Sequence, residues 1–272
     1  LIYAGFLLLI ISITYPIAEG IETGLSPLHP DVLNKFVRFL GSTMFLNTMI
    51  QLSTQTILSI VYAAISENLG HNVFKNFLTG KYHSPKNETR IFMFLDMKNS
   101  TSIAEKLGHT TYFKFLRRYY DSLSDTIIQH LGEVYQYVGD EIVITWDIEK
   151  GTKNDNWLNC FLTLKKTLIE HKSAFQKEFG EYPDFRAGIH VGEVTTGEIG
   201  ALKKEIVYTG DVLNTAARLQ TIGKEFNSDL VFSDDLNKLL IDKNQIPTTH
   251  LGEIMLRGKS QKTALFTASE VR

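Results

Sequence analysis

The chain has 272 residues, 43% of them hydrophobic, and a formal net charge of -2. This length can hold one or two domains with an ordinary core, and the near-neutral charge gives no indication of a nucleic-acid partner. The single cysteine, Cys160, excludes a disulfide framework and a cysteine metal cluster.

Two stretches near the start, residues 1–18 and 39–65, carry no charged side chain. A membrane-spanning helix needs about 20 mostly apolar residues, so the second stretch is long enough. The sequence opens with Leu1 rather than Met, so it is expected to be a fragment whose first stretch is the cut end of another span. The alternative for the first stretch is the core of a signal peptide, and the alternative for the second is a buried helix of a soluble protein. Lys and Arg outnumber acidic residues just after the second stretch, which predicts a multi-pass protein of the plasma or inner membrane with a cytoplasmic C-terminal part.

Residues 66–80 are predicted to form a helix that leaves the membrane. Leu69, Val73 and Phe77 fall on one stripe, and Gly80 can end the helix. Such a stripe packs either on its own domain or in a parallel dimer stalk, and both interpretations stay open. The predicted divisions are a membrane region at 1–65, a linker at 66–88 and a second domain at 89–272.

From residue 89 onward the pattern is α+β. The unbroken apolar run at 91–95 predicts a strand buried on both faces, and the segments on either side of Gly139 and Asp140 predict a β-hairpin. The other predicted elements are helices at 110–131, at 156–179 and from Asp211 onward, and strands at 133–138, 141–146, 185–191, 194–199, 253–256 and 264–267.

Two aspartates occupy positions that suit a metal ion. Asp96 ends the first buried strand, and Asp140 lies in the hairpin turn. A strand end beside a hairpin tip can bring two carboxylates together, and such hard oxygen ligands suit Mg²⁺ or Mn²⁺ with substrate phosphates in the remaining positions. Taken alone, Gly-Asp is also a common turn without any metal.

Two helix starts could contact a phosphorylated ligand. Ser102 and Glu105 have capping-box spacing, and a helix N-terminus directly after the first strand can bind phosphate through free backbone N–H groups. An ordinary capped helix without a ligand is the equal alternative. Asp211 is predicted to be the N-cap of the helix on which Asn214 and Arg218 share a face. An amide and a guanidinium on one face could hold a ribose and a developing phosphorane charge, whereas a solvated polar face is the plain alternative.

In order and spacing, these motifs resemble those of the class III adenylyl and guanylyl cyclases. The resemblance covers residues 90–267. It implies an α+β fold with a ferredoxin-like βαββαβ core, preceded here by transmembrane helices. It also implies a head-to-tail homodimer with composite active sites between the protomers. The matching segments are Phe94-Leu95-Asp96-Met97 with Ser100-Thr101 and Glu105, Gly139-Asp140, Arg186 to Gly192 with Gly197 and Gly200, Gly210-Asp211 through Asn214 to Arg218, and Arg257-Gly258-Lys259.

The resemblance implies an adenylate cyclase, which converts ATP to 3′,5′-cyclic AMP and pyrophosphate. Asp96, Met97 and Asp140 would bind two Mg²⁺ or Mn²⁺ ions in each active site. Asn214 would orient the ribose from the opposite protomer, and Arg218 would neutralise charge at the α-phosphate. The residues implied to contact the triphosphate are Asn99, Ser100, Thr101, Arg186 of the same protomer, and Arg257 with Lys259 as a substitute.

Two positions implied to read the base depart from the adenylyl cyclase pattern. Adenylyl cyclases usually have Lys three residues before the glycine of the first Gly-Asp pair, where this sequence has Gln136. They usually have Asp or Thr three residues before the glycine of the second pair, where this sequence has Val207. An amide can donate or accept and valine does neither, so weaker discrimination between ATP and GTP is predicted. A guanylate or mixed-specificity cyclase is therefore one alternative to adenylate cyclase. A catalytically silent module that dimerises or senses nucleotide is another.

Overall fold

The computed structural model describes residues 2–69, 71–241, 246–255 and 262–268. The chain divides into two compact units, Leu1–Thr79 and Gly80–Arg272. In the described residues the first unit consists of helices, and the second is built on an eight-stranded sheet.

The first unit contains two helices that could cross a membrane by length and composition. The qualifying segments, Gly5–Thr23 and Thr43–Ser66, coincide largely with the two charge-free stretches. Residues 39 and 40, however, end the connecting helix rather than begin the second span. The helices of this unit are α1 (Ile2–Thr23), α2 (Pro30–Leu40), α3 (Thr43–Leu69) and α4 (His71–Thr79).

The connecting helix α2 folds back on α1. The rings of Tyr15 and Phe39 stack with centroids 4.4 Å apart, and Phe36 contacts Tyr15 at 5.6 Å. Lys35 forms an ion pair with Glu19. These contacts cover part of the apolar side of α2, so the charged connector packs against its neighbour instead of extending.

The helix predicted at 66–80 is divided between two elements. α3 continues to Leu69, α4 covers His71–Thr79, and Gly80 follows with a φ of +64°. Glycine adopts this left-handed conformation without steric cost, so Gly80 ends the helix as predicted. The parallel dimer stalk stays a prediction, as do the two predicted boundaries between the three segments.

The sheet of the second unit has the strand order β2-β3-β1-β4-β6-β8-β7, and β5 pairs with the C-terminal part of β4. Its antiparallel β2-β3-β1-β4 portion, with helices after β1 and β3, is the predicted ferredoxin-like βαββαβ core. The strands are β1 (Lys86–Met97), β2 (Glu133–Val138), β3 (Glu141–Asp147), β4 (Phe185–Ile199), β5 (Glu205–Thr209), β6 (Leu230–Ser233), β7 (Thr248–Met255) and β8 (Lys262–Ala268). The helices are α5 (Ser100–Leu107), α6 (His109–Gln129), α7 (Ile148–Thr152), α8 (Asn156–Phe179), α9 (Asp211–Ile222) and α10 (Asp234–Leu239).

Strand β1 is buried on both faces, which explains its unbroken apolar run. Ile91, Met93 and Leu95 belong to the core formed with α6 and α8. Phe92 and Phe94 belong to a second cluster formed with α9. Successive side chains of a strand point to opposite faces, so one apolar run serves two cores. The prediction of a doubly buried strand is confirmed.

The strands predicted at 185–191 and 194–199 are one continuous strand, β4. Gly192, between the two predicted segments, keeps its pairing with Arg90 of β1. The glycine therefore marks a close approach and not a turn, because a Cβ there would lie 3.2 Å from the Cβ of Val212 on α9.

Two other boundaries also differ from their predictions. The helix predicted at 110–131 ends at Gln129, because Leu131 has a left-handed φ of +57° that no helix continues through. The strand predicted at 253–256 begins earlier, at Thr248, because it pairs along the length of β8. Position 256 lies outside the described residues.

Helix α9 lies directly on the sheet at Gly188. A Cβ at this position would lie 2.1 Å from the backbone nitrogen of Gln220 and 2.3 Å from the carbonyl oxygen of Ala216. Both atoms belong to the backbone of α9, which cannot move aside as a flexible side chain can. Glycine is therefore the residue that lets α9 keep this position.

Gly188→Ala is expected to lower the melting temperature of the full chain in detergent micelles by about 3–10 °C, since overpacking costs roughly 1–3 kcal/mol. Melting followed by circular dichroism measures this. Gly197→Ala, on the same strand, is the matched control, because its Cβ would meet Pro85 at an ordinary 3.5 Å. Equal melting temperatures for the two variants would contradict the close contact.

Candidate active site

Asp96 and Asp140 lie at the same end of the sheet. Asp96 is the penultimate residue of β1 and pairs with Glu141 of β3. Asp140 directly precedes Glu141 in the hairpin turn, where Gly139 has a φ of +64°. The register of the two strands thus places the aspartates at neighbouring strand ends; they are called the acid pair below.

Asp140 affects the ionisation of Asp96. Burial raises the pKa of the Asp96 carboxyl, and the negative charge of Asp140 raises it further. A hydrogen bond from Gln220 and the positive charges of Lys224 and Arg186 oppose this shift. Two like charges held close together are the arrangement that a cation relieves.

Groups around the acid pair respond to the same negative charge. Burial raises the pKa of Glu141, and the charges of the acid pair raise it further. Burial also raises the pKa of Tyr112, on α6, to about 12, with a smaller contribution from the acid pair. The hydroxyl of Tyr120 donates a hydrogen bond to the carbonyl of Gly139, which ties the hairpin turn to α6.

The donor chemistry of the acid pair fits Mg²⁺ or Mn²⁺. In the ranges that the structure describes, no three His, Cys, Asp or Glu side chains cluster so that they could hold a metal. A cation here would therefore rely on the acid pair, on backbone oxygens and on oxygens of a bound ligand, which is the usual pattern for Mg²⁺. The side chain of Met97 is buried, so only its backbone carbonyl could contribute.

The segment after Asp96 turns sharply into α5. Asn99 has a left-handed φ of 56° and occupies the N-cap position, and the helix starts at Ser100. Ser100 and Thr101 therefore lie in the first turn, whose backbone N–H groups have no partner within the helix. The capping box predicted at Ser102 is wrong, because the helix begins two residues before it.

Two lysines and two aspartates tie the strand ends beside this turn. Lys98 contacts Asp184 at 2.6 Å and also Asp229. Lys165 of α8 contacts the same two carboxylates at 2.5 and 2.8 Å. The alternating charges join the end of β1 to the starts of β4 and β6, which holds the turn at Asn99 in place.

Arg186 is the register partner of Asp96 on β4. Its side chain is half-buried, and its buried Nε has no hydrogen-bond partner in the described part of the chain. An unsatisfied buried N–H is costly, and an anionic ligand would satisfy it. Arg257 and Lys259, the other predicted phosphate contacts, lie outside the described residues.

Helix α9 carries polar residues on two different faces. Asn214 and Arg218 share one face and are exposed. Gln220 lies about 160° around the helix from Arg218 and about 120° from Asn214. It is only 7% exposed and donates from Nε2 to Oδ2 of Asp96 at 2.9 Å. The face of Asn214 and Arg218 therefore points away from the acid pair of its own chain.

The start of α9 differs by one residue from its prediction. Gly210 occupies the N-cap position, and Asp211 is the first helical residue. The predicted N-cap role of Asp211 is therefore wrong. Its carboxylate instead accepts a hydrogen bond of 3.4 Å from the hydroxyl of Thr215, one turn later.

The two predicted base-reading residues lie on two different strands, β2 and β5. Gln136 of β2 is exposed and Val207 of β5 is half-buried. Their neighbours Tyr135 and Tyr208 contact each other with ring centroids 4.9 Å apart. The register of β2 shifts between Val134 and Gln136, and Gln136 pairs with Val143, which belongs to the same cluster as Tyr135 and Tyr208. Gln136 therefore lies on the face of this aromatic contact, whereas Val207, next to Tyr208 on β5, lies on the opposite face.

Three groups at the site were not predicted from the sequence, namely Gln220, Glu141 and Tyr112. Gln220 had a detectable signal, because it continues the i, i+4 series of Val212 and Ala216 on the buried side of α9. A lone amide at the end of an apolar stripe indicates a specific partner.

Comparison with known proteins places these motifs in one family. Residues 82–268 match the family model described as the adenylate and guanylate cyclase catalytic domain. The chain is 33% identical over 203 residues to Adenylate cyclase 2 of Rhizobium meliloti (strain 1021), a match covering 75% of this chain and 56% of that protein. It is 28% identical over 174 residues to Adenylate cyclase 1 of the same organism, covering 62% and 25% respectively. The chain thus spans about half or less of the length of these relatives.

A solved structure of a bacterial light-regulated adenylyl cyclase superposes with a TM-score of 0.68 at 20% identity, covering 84% of this chain and 65% of that one. At this level of identity the likeness shows the fold alone. The predicted α+β fold class is confirmed.

Proposed function

Since this chain belongs to the adenylate and guanylate cyclase catalytic domain family, we propose that it is a membrane-anchored adenylate cyclase. It converts ATP to 3′,5′-cyclic AMP and pyrophosphate at the interface of a homodimer. The observation that carries the proposal is the acid pair at one sheet end, flanked by the first turn of α5 and by Arg186.

The acid pair binds the divalent cations in this proposal, with the carbonyl of Met97 as a further ligand. A bound Mg²⁺ or Mn²⁺ supplies positive charge that lowers the pKa of the ribose 3′-hydroxyl and offsets the charge of the triphosphate. The repulsion between Asp96 and Asp140 supports this assignment, because it disfavours the pair without a cation.

The turn at Asn99 and the side chain of Arg186 hold the triphosphate from the same protomer as the acid pair. The backbone N–H groups at Ser100 and Thr101 donate to phosphate oxygens, and Asn99 sets the turn that presents them. The unpaired Nε–H of Arg186 donates to another phosphate oxygen. Arg257, with Lys259 as a substitute, binds the terminal phosphates.

Residues of the opposite protomer complete the site. Asn214 orients the ribose and Arg218 neutralises the charge that develops at the α-phosphate. The ribose O3′ forms a bond to the α-phosphorus while the bond from that phosphorus to the bridging oxygen breaks and pyrophosphate leaves. The proton of the 3′-hydroxyl passes to solvent. The exposure of Asn214 and Arg218, on the side of α9 away from Asp96, supports their action on a partner's acid pair.

The membrane part of the proposal rests on α1 and α3. Both are long and apolar enough to span a bilayer. The excess of Lys and Arg after α3 supports a cytoplasmic location of the following catalytic unit under the positive-inside tendency.

We expect ATP to be the better substrate, with measurable turnover of GTP. If a site holds a fixed hydrogen-bond donor and a fixed acceptor, binding of the wrong base leaves these buried groups without partners. Each unpaired group costs roughly 1–3 kcal/mol. Val207 has no polar group that the wrong base could leave unpaired. The amide of Gln136 can rotate to donate or to accept, which lowers the cost of the wrong base at the second position. The measurement is kcat/KM for both nucleotides.

The combined substitution Gln136→Lys and Val207→Asp should increase the preference for ATP. Gln176→Lys, at an exposed position of α8, is the control for added charge. A wild-type protein that already excludes GTP by more than about three decades would mean that other groups read the base.

A further inference from the structure

Gln220 is a buried amide whose nitrogen donates a hydrogen bond to a carboxylate of the acid pair. It is 7% exposed, and its Nε2 donates to Oδ2 of Asp96 at 2.9 Å. A buried amide without partners is destabilising by about 1–3 kcal/mol, and an apolar side chain of similar size would avoid that cost. The contact with Asp96 therefore gives the glutamine a specific task at this position.

The amide oxygen of Gln220 has a second partner. The hydroxyl of Thr221 shares its single proton between the carbonyl oxygen of Ala217 at 3.2 Å and Oε1 of Gln220 at 3.3 Å. The amide nitrogen is then left to face Asp96, whose ionised carboxylate can only accept. The donor and acceptor pattern admits one orientation of the amide.

The backbone beneath Gln220 is also held in place. A Cβ at residue 188 would lie only 2.1 Å from the backbone nitrogen of Gln220. Helix α9 and strand β4 are therefore in direct contact at Gly188. Gly188 pairs with Phe94 of β1, two residues before Asp96. The start of the Gln220 side chain and the strand that carries Asp96 are therefore fixed relative to each other.

From this geometry we infer that Gln220 is a positioning residue for the proposed cation site. It holds one oxygen of Asp96, so that the carboxylate keeps a single orientation before a cation arrives. The inference rests on the proposed function only in that Asp96 is a metal ligand. Outer partners of metal ligands of this kind contribute roughly 10–100-fold to metal affinity.

The test is a Mn²⁺ titration of the full chain in detergent micelles with 3′-deoxy-ATP, which provides the phosphates but has no 3′-hydroxyl to react. Free Mn²⁺ is followed by electron paramagnetic resonance, so the readout does not depend on activity. Gln220→Met keeps the size of the side chain and removes its donor. It is expected to weaken Mn²⁺ binding by about 10-fold or more. Gln176→Met, at an exposed position of α8, should leave binding unchanged.

A second pair of variants guards against a general loss of packing. Thr221→Val removes the hydroxyl that orients the amide and is expected to weaken Mn²⁺ binding, whereas Thr221→Ser keeps the hydroxyl and should restore it. If Gln220→Met does not fold, this pair still decides the matter.

The outcomes separate the inference from the proposed function. Wild-type binding of Mn²⁺ with unchanged affinity in Gln220→Met, or in Thr221→Val when Gln220→Met is unfolded, would overturn the inference and leave the proposed function standing. Equal weakening in Gln220→Met and Gln176→Met would also overturn it. A wild-type protein that binds no Mn²⁺ would overturn both.

Discussion

Asp96→Asn and Asp140→Asn are each expected to reduce cyclic nucleotide formation by at least about 1,000-fold, which corresponds to roughly 4 kcal/mol of transition-state stabilisation. Each substitution removes a charged oxygen ligand from the acid pair, and no third acidic, histidine or cysteine ligand completes a cluster there in the described residues. The measurement is the formation of cyclic AMP from ATP with Mg²⁺ or Mn²⁺, using membranes that contain the full chain.

The fold should survive the Asp96 substitution. The pKa of Asp96 is raised in the folded chain, by burial first and then by Asp140, so its ionised form opposes folding above that pKa. Neutral asparagine removes this repulsion and can still accept the hydrogen bond of Gln220. The melting temperature at neutral pH should therefore be equal to or above that of the wild type.

Asp235→Asn, which neutralises an exposed aspartate of α10, is the matched control and should keep full activity. Near-normal turnover in either acid-pair variant would remove cation binding by these residues from the mechanism.

Mixing two inactive chains, Asp96→Ala and Arg218→Ala, is expected to restore activity. In the proposed dimer each site takes its acid pair from one protomer and its arginine from the other. A heterodimer has one intact site of two, so a fraction that contains only heterodimers should regain about half of the wild-type activity per dimer. Each variant alone should stay inactive, so the recovered activity is measured against a background near zero. The two chains are co-expressed with different tags, and the doubly captured fraction is assayed.

The control for complementation is a mixture of Asp96→Ala with Asp140→Ala. Both lesions fall in the acid pair, so every heterodimer has one damaged member of the pair in each site. This mixture should stay inactive. Doubly tagged dimers of Asp96→Ala and Arg218→Ala that are also inactive would place the whole site within one chain.

Local patterns predicted the central part of the fold. The apolar run of β1 and the Gly-Asp turn between β2 and β3 are signals contained within a few residues, and both elements formed as predicted. The short elements β5, β6 and α10 were not predicted, because four to six residues carry little periodicity. The conformation of β5 and β6 depends instead on pairing with β4 and β8.

The site was predictable to the extent that its residues belong to motifs. Asp96 and Asp140 could be placed together because a strand end and a hairpin turn define their positions. The hydrogen bond between Gln220 and Asp96 could not, since it joins residues 124 positions apart through the packing of a helix on a sheet. The assignment of Gln136 and Val207 to the base stays a prediction.

The contact at Gly188 restricts how the proposed site can open. Because backbone meets backbone there, α9 has no gap across which it could lift from the sheet, and close-packed interiors resist such deformation. We therefore expect helix α9 and strand β4 to move together. In the proposed homodimer, substrate entry and product release would then involve rotation of one protomer against the other rather than a hinge between α9 and the sheet.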